Sequence, residues 1–174
     1  MICKDREFKN YLDYFKKIFL YPEIKCLCLF RKAQKYCKSK NPITRLIWSL
    51  RWLGVRRRGY QVSLDASIGQ GLRFLHDGVR IIVGSAIIGT DCTIGVNVVV
   101  GYGKKTERSA PTIGDRVYIG HNSSIVGGIT VGDDVLIAPN TFVNRDIPSN
   151  SIVVGNNQII PKEAASAHYL KMGP

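Results

Sequence analysis

From residue 61 onward, aliphatic side chains return at every sixth position. Val62, Ile68 and Phe74 make one run, Ile82, Ile88, Ile94 and Val100 a second, and Ile113, Ile119, Ile125, Val131, Ile137 and Val143 a third. Twelve of these thirteen residues are Ile or Val, types that supply about a quarter of residues 61–174, so chance would place roughly three there. The position after the aliphatic residue is glycine seven times (Gly69, Gly89, Gly95, Gly101, Gly114, Gly120, Gly132), and the fifth is small or β-branched, as in Ala66, Ala86, Cys92, Val98, Ser123 and Thr141. β-Branched residues suit a short strand and glycine suits a sharp turn. Each hexad therefore predicts a strand and a corner, and three hexads predict one triangular coil. The set makes roughly four coils stacked about 4.8 Å apart, aliphatic side chains inward.

The period breaks twice, and breaks in a solenoid are where function is usually carried. Two extra residues enter between Phe74 and Ile82, around Leu75-His76-Asp77-Gly78, and seven enter between Val100 and Ile113, around Gly103-Lys104-Lys105. One break holds a histidine; the other is a basic, glycine-bearing loop less than two coils further along.

The first sixty residues follow a different period. Phe8, Tyr11, Leu12, Phe15, Ile18 and Phe19 recur at helical steps. Pro22 starts a second helix with Ile24, Leu27, Cys28, Ala33 and Cys37 on its apolar side and Arg31, Lys32, Lys35 and Lys38 mostly outward. Asn41-Pro42 reads as an N-cap and first helical position, and Gly54 is placed to end the third helix. The expected organisation is a basic α-helical segment (1–60), a hexapeptide-repeat β-helix (61–160) and a C-terminal tail (161–174).

Charge sharpens that division. Of 25 Lys and Arg and 13 Asp and Glu, which leave a net charge of +12, sixteen basic and four acidic residues precede position 61. The repeat module is neutral. The basic helices read as a cap on the repeats, as a peripheral contact with an anionic membrane surface through Trp48, Trp52 and Arg56 to Arg58, or as a nucleic-acid surface. No helix-turn-helix, zinc or RNP signature supports the last. The five cysteines form no CxxC pair, which argues against zinc or redox work and for idle thiols in a reducing cytoplasm. No secretory h-region opens the chain and no run of eighteen apolar residues occurs, so a cytoplasmic protein is expected.

The hexads are similar to those of the left-handed β-helix acyltransferases. Residues 71–89, GLRFLHDGVRIIVGSAIIG, residues 111–155, and the stretch LYPEIKCLCLFRKAQKYCK resemble the serine acetyltransferase branch. The resemblance implies a left-handed parallel β-helix with an N-terminal helical segment, assembled as a homotrimer. It also implies acetyl transfer from acetyl-CoA to a hydroxyl, without a metal, with His76 as general base. For acetyl-CoA it implies the corners Gly120-His121 and Ala138-Pro139, with Gly103, Lys104 and Lys105 in the extruded loop. The carboxylate that orients the histidine in that branch falls on Gln61, with Asp77 or Asp65, neither at the family position, as weaker substitutes. Its substrate-binding residues fall on Leu75, Ser109 and Ala110, and GNNQII departs from its C-terminal pattern.

Those departures remove the bidentate partner of a carboxylate. The expectation drawn from them is an acceptor hydroxyl on a saccharide or lipid-linked saccharide, as in the capsular and colanic-acid acetyltransferases of cell-surface polysaccharide synthesis. Free serine is the alternative, and a non-catalytic β-helix scaffold a second one. A zinc-dependent carbonic anhydrase on the same fold is rejected, because only His76, His121 and His168 are present and the last lies beyond the repeats.

Overall fold

The computed structural model describes residues 21–103, 109–163 and 165–170. The expected helix over Phe8–Phe19, and Lys104 and Lys105, lie outside the described residues.

Two helices precede the coils. Helix α1 (Pro22–Tyr36) begins on its proline, and α2 (Pro42–Arg56) begins where the Asn41 side chain accepts from the amides of Ile43 (2.9 Å) and Thr44 (3.2 Å). Gly54 does not end α2. The Arg57 amide still donates to Leu53, and the chain reverses at Gly59 (φ 96°), where a Cβ would press on Val79.

The rest is a parallel β-solenoid. Its first sheet stacks β1 (Tyr60–Val62), β4 (Arg80–Ile82), β7 (Val98–Gly101), β10 (Ser124–Val126) and β13 (Phe142–Val143). The second stacks β2 (Ser67–Ile68), β5 (Ile87–Ile88), β8 (Thr112–Ile113) and β11 (Thr130–Val131). The third stacks β3 (Arg73–Phe74), β6 (Thr93–Ile94), β9 (Tyr118–Ile119), β12 (Leu136–Ile137) and β14 (Ser151–Val154). All thirteen hexad aliphatics are buried, and so are Ala66, Ala86, Cys92, Val98, Ser123 and Thr141. Register explains this. Parallel pairing sets Ile82 on Val100 and Ile94 on Ile119, so one inward column is continuous from coil to coil.

Three expectations are corrected. The coils run to a fifth tier rather than ending at about four: β13 starts it on the first sheet, Ile147 bridges to Val131 on the second, and β14 adds the buried Val153 on the third. Ile147 follows Val143 by four positions instead of six, which hides that tier from a strict six-residue count. An antiparallel strand, β15 (Gln158–Pro161), then pairs with β14. Second, the glycines that follow the aliphatic residues are not there for left-handed backbone. A Cβ on Gly89 would lie 2.5 Å from the Gly114 carbonyl oxygen, and one on Gly120 the same distance from the Pro139 nitrogen. They permit close stacking, while left-handed φ falls two residues later on Asp91, Asn97, Arg116, Asn122 and Asp134, and on Asn140 after Ala138. Third, the segment after residue 160 is more than a tail. Helix α3 (Ala165–Leu170) packs Ala165 against Tyr118 and Leu136 on the outer face of the third sheet, with Leu75 and Ile152 beside them.

Helix α1 lies over the first coil. Its Ile24, Leu27, Cys28 and Ala33 are buried as their spacing requires, but Arg31 does not face outward. Its guanidinium donates to the carbonyls of Ile68 (2.7 Å) and Gly69 (2.5 Å), and the Gln34 amide donates to Leu64 and Ala66. The first coil has no neighbour above it to take those carbonyls, so the helix satisfies them.

Candidate active site

Three edges join the sheets, and the candidate residues divide between two of them. On the edge from the third sheet to the first, successive corners carry His76, Gly95-Val96, Gly120-His121 and Ala138-Pro139. The Leu75, Gly95 and Gly120 amides each donate to the coil below, so the corners form one column. Gly103 belongs to a different edge, from the first sheet to the second, where its Cα lies 4.0 Å from where Gly127 would place a Cβ. The two sequence breaks are therefore close along the axis but on different edges of one chain.

The His76 corner is the irregular one. Here the left-handed residue is the histidine itself (φ 61°), and Gly78 (φ 154°) lets the two-residue insertion pass over Val96, where a Cβ would approach within 2.9 Å. Both His76 and Asp77 are exposed. Beneath them lies Arg80, whose side chain is fully buried at an inward position of β4. Its guanidinium donates to the carbonyls of Leu75, His76 (2.8 Å) and Gly78 (3.0 Å). It also stacks over Phe74 (4.6 Å to the ring centre) and Tyr60 (5.5 Å). Only its Nε lacks a partner. One planar fork thus holds three carbonyls of the turn that displays His76, which a lysine has no geometry to do.

Tyr60 completes this support. Its hydroxyl donates to Asp77 Oδ1 at 2.5 Å, and burial followed by that bond raises its pKa far above the ordinary tyrosine value. The buried Cys26 of α1 sits against the same group. Burial raises its thiol pKa, with Arg80 acting the other way. Arg80, Tyr60 and Cys26 are not marked by the period, which singles out the aliphatic column and its glycines; an arginine two residues before Ile82, inside an aliphatic hexad, is the one available clue.

His121 lies across the column from His76. The two rings stack at 5.9 Å between centres and 26° between planes. The Val96 amide donates to His121 Nδ1 at 3.0 Å. Burial, then the neighbouring His76 and Arg80, hold the His121 pKa below the ordinary histidine value. Gln61 occupies the exposed middle position of β1, between inward Tyr60 and Val62, and no hydrogen bond joins it to His76. Asp77 is engaged by Tyr60 and does not hydrogen-bond the ring. Among the described residues, no cluster of three His, Cys, Asp or Glu is arranged to hold a metal, and no helix is long and apolar enough to cross a membrane.

Chemically, the edge offers an exposed imidazole on a rigid turn, a second imidazole beside it, and closely stacked backbone corners below.

Comparison with known proteins fits this geometry. Residues 110–145 match the family model for bacterial transferase hexapeptide (six repeats), and residues 85–103 match the hexapeptide repeat of succinyl-transferase. The chain is 35% identical over 141 residues to the serine acetyltransferase of Helicobacter pylori, covering 80% of this chain and 81% of that protein. It is 32% identical to the Synechococcus elongatus serine acetyltransferase over 79% of this chain and 56% of that one. The structure of Neisseria gonorrhoeae serine acetyltransferase in complex with serine superposes with a TM-score of 0.70 at 26% identity, covering 87% of this chain and 62% of that chain.

These findings overturn the saccharide acceptor and the assignment to polysaccharide synthesis. That expectation rested on single positions, Leu75, Ser109 and Ala110, whereas the similarity to serine acetyltransferases runs through four-fifths of the chain. Leu75 itself is partly buried against the apolar cluster of Tyr118, Leu136 and Ala165.

Proposed function

Because the chain belongs to the serine acetyltransferase family, we propose that it transfers the acetyl group of acetyl-CoA to the hydroxyl of L-serine, forming O-acetylserine and free CoA. The observation that carries this reading is the 35% identity across 81% of a serine acetyltransferase. His76 is the general base. Its neutral imidazole removes the hydroxyl proton as the serine oxygen attacks the thioester carbonyl carbon. The tetrahedral intermediate then collapses, the carbon–sulfur bond breaks, and the imidazolium returns the proton to the CoA sulfur. Arg80 and Tyr60 hold the turn so that the ring stays presented to solvent.

Acetyl-CoA is placed along the corner column of Gly120, Ala138 and Pro139. Side chains there are small or absent, and the stacked backbone leaves an open edge for an extended ligand. A homotrimer belongs to the same reading. Gly103 and His76 occupy different edges of one chain, so a groove between two copies is the arrangement that brings both sequence breaks to one ligand. Peripheral contact with anionic lipid, as a second use of the cap, does not run through the expected tryptophans, because Trp52 is buried against Phe30 and Trp48 stacks on Tyr36; the surface suited to it is Ile43, Leu46, Ile47 and Leu50 of α2, exposed beside Arg45 and Arg51.

Incubation of the purified full-length chain with acetyl-CoA and L-serine tests the proposal. CoA release should depend on L-serine, with O-acetylserine formed in equal amount. CoA release that ignores L-serine would refute it.

A further inference from the structure

The edge from the second sheet to the third shows what a corner of this solenoid needs. There the amides after Gly89, Gly114 and Gly132 are each capped by a side chain from the coil below: Thr90 by Asp115 (2.6 Å), Asp115 by Asp133 (2.7 Å) and Asp133 by Ser149 (2.9 Å). Short oxygen acceptors suffice. At the equivalent place on the His76 edge, the amide after Gly95 is Val96, and its cap is the Nδ1 of His121. A Cβ at residue 95 would lie 2.8 Å from the His121 backbone nitrogen and 3.0 Å from its Nδ1, so glycine lets both the backbone and the ring come this close.

A histidine does this capping task no better than aspartate, but it adds one group. With Nδ1 accepting from Val96, the proton of the neutral ring sits on Nε2. At 5.9 Å between centres the two rings are too far apart to share a proton directly, so the donor remains free to serve a third group. We propose that His121 is a second working imidazole of the acetyl-transfer site, a neutral Nε2–H donor to an oxygen of the reacting groups beside His76. The inference rests on the acetyl-transfer reading above. Its chemistry is that of a neutral imidazole polarising a carbonyl, stabilising negative charge as it develops on the thioester oxygen. The lowered pKa of His121 agrees, since protonation would break the Val96 bond and set a cation against His76 and Arg80.

The test uses the full-length protein with acetyl-CoA and L-serine. His121→Phe keeps a stacking ring without an N–H and should lower kcat by about 10²-fold, with each KM changed less than about threefold. His121→Gln restores a donor and should recover about tenfold of that loss. Long-range proton–nitrogen spectra should show the His121 proton on Nε2. A His121→Phe kcat within about threefold of native, a loss confined to KM, or a proton on Nδ1 would each overturn the inference. If the native chain transfers nothing to L-serine, the proposed function and this inference fall together; if it does transfer and His121→Phe is silent, this inference alone falls.

Discussion

Two edges of the same solenoid solve the same problem with different chemistry. On the aspartate edge, Asp115, Asp133 and Ser149 cap one another's coils, and Asp115 is held below the ordinary carboxylate range chiefly by the Thr90 amide. Each corner is satisfied by its neighbour, so the pattern can repeat without limit. On the histidine edge the corners carry imidazoles instead, and the first corner is satisfied from inside, by a buried arginine that reaches three carbonyls. The difference teaches where the fold stops being only a scaffold. An aspartate ladder needs nothing from the core, whereas the His76 turn draws on β1, β3 and β4 together.

The comparison breaks most sharply at His76. Asparagine occupies the left-handed position at the next three corners of this edge, Asn97, Asn122 and Asn140. His76→Asn should therefore leave the melting temperature unchanged or slightly higher, while serine-dependent CoA release falls by about 10²- to 10⁴-fold. Loss of both stability and activity would mean that the corner is structural and that the base lies elsewhere.

Arg80 gives the next largest effect. Arg80→Met keeps comparable bulk and removes a buried charge but strands three carbonyls that face it, so it should cost about 1–3 kcal/mol of stability. The three carbonyls would lose their common donor, and amide exchange should rise across residues 75–79 while the coils below stay protected. A ring displaced by about 1 Å predicts a kcat loss of about 10- to 100-fold. Arg80→Lys should not rescue it, because one point charge lacks the fork. Unchanged exchange in the turn would show that the chain holds this corner without the guanidinium.

How far the sequence reveals these edges follows from what a period can carry. The inward column was legible because one residue type recurs at one spacing, and all thirteen positions are buried. The His76 turn was legible because it breaks that spacing. Arg80 was not, since it sits two residues before Ile82 at a place where the other hexads bury a small or β-branched side chain, and pattern counting reads such a position as core. The Arg31 clamp was missed for a related reason: helical spacing sets the face of a residue, but a long side chain can turn back from that face to find unpaired carbonyls. The fifth tier was hidden by the shortened step from Val143 to Ile147. Acceptor identity is not legible in three single positions, Leu75, Ser109 and Ala110, because the similarity that bears on it is spread over four-fifths of the chain.

The smallest effect belongs to the aspartate edge and completes the contrast. Asp133 accepts from the Asp115 amide at 2.7 Å, while its own amide donates to Ser149. Asp133→Ala leaves the Asp115 amide at an exposed corner, where water replaces the lost acceptor, so the cost should be about 1 kcal/mol or less. For a domain of this size that lowers the melting temperature by about 2–4 °C. The kcat should stay within about twofold of native, because nothing on this edge touches either imidazole. A kcat loss comparable to that of Arg80→Met would show that the two edges are mechanically coupled through the sheets, and the division into a self-satisfied edge and a working edge would fall.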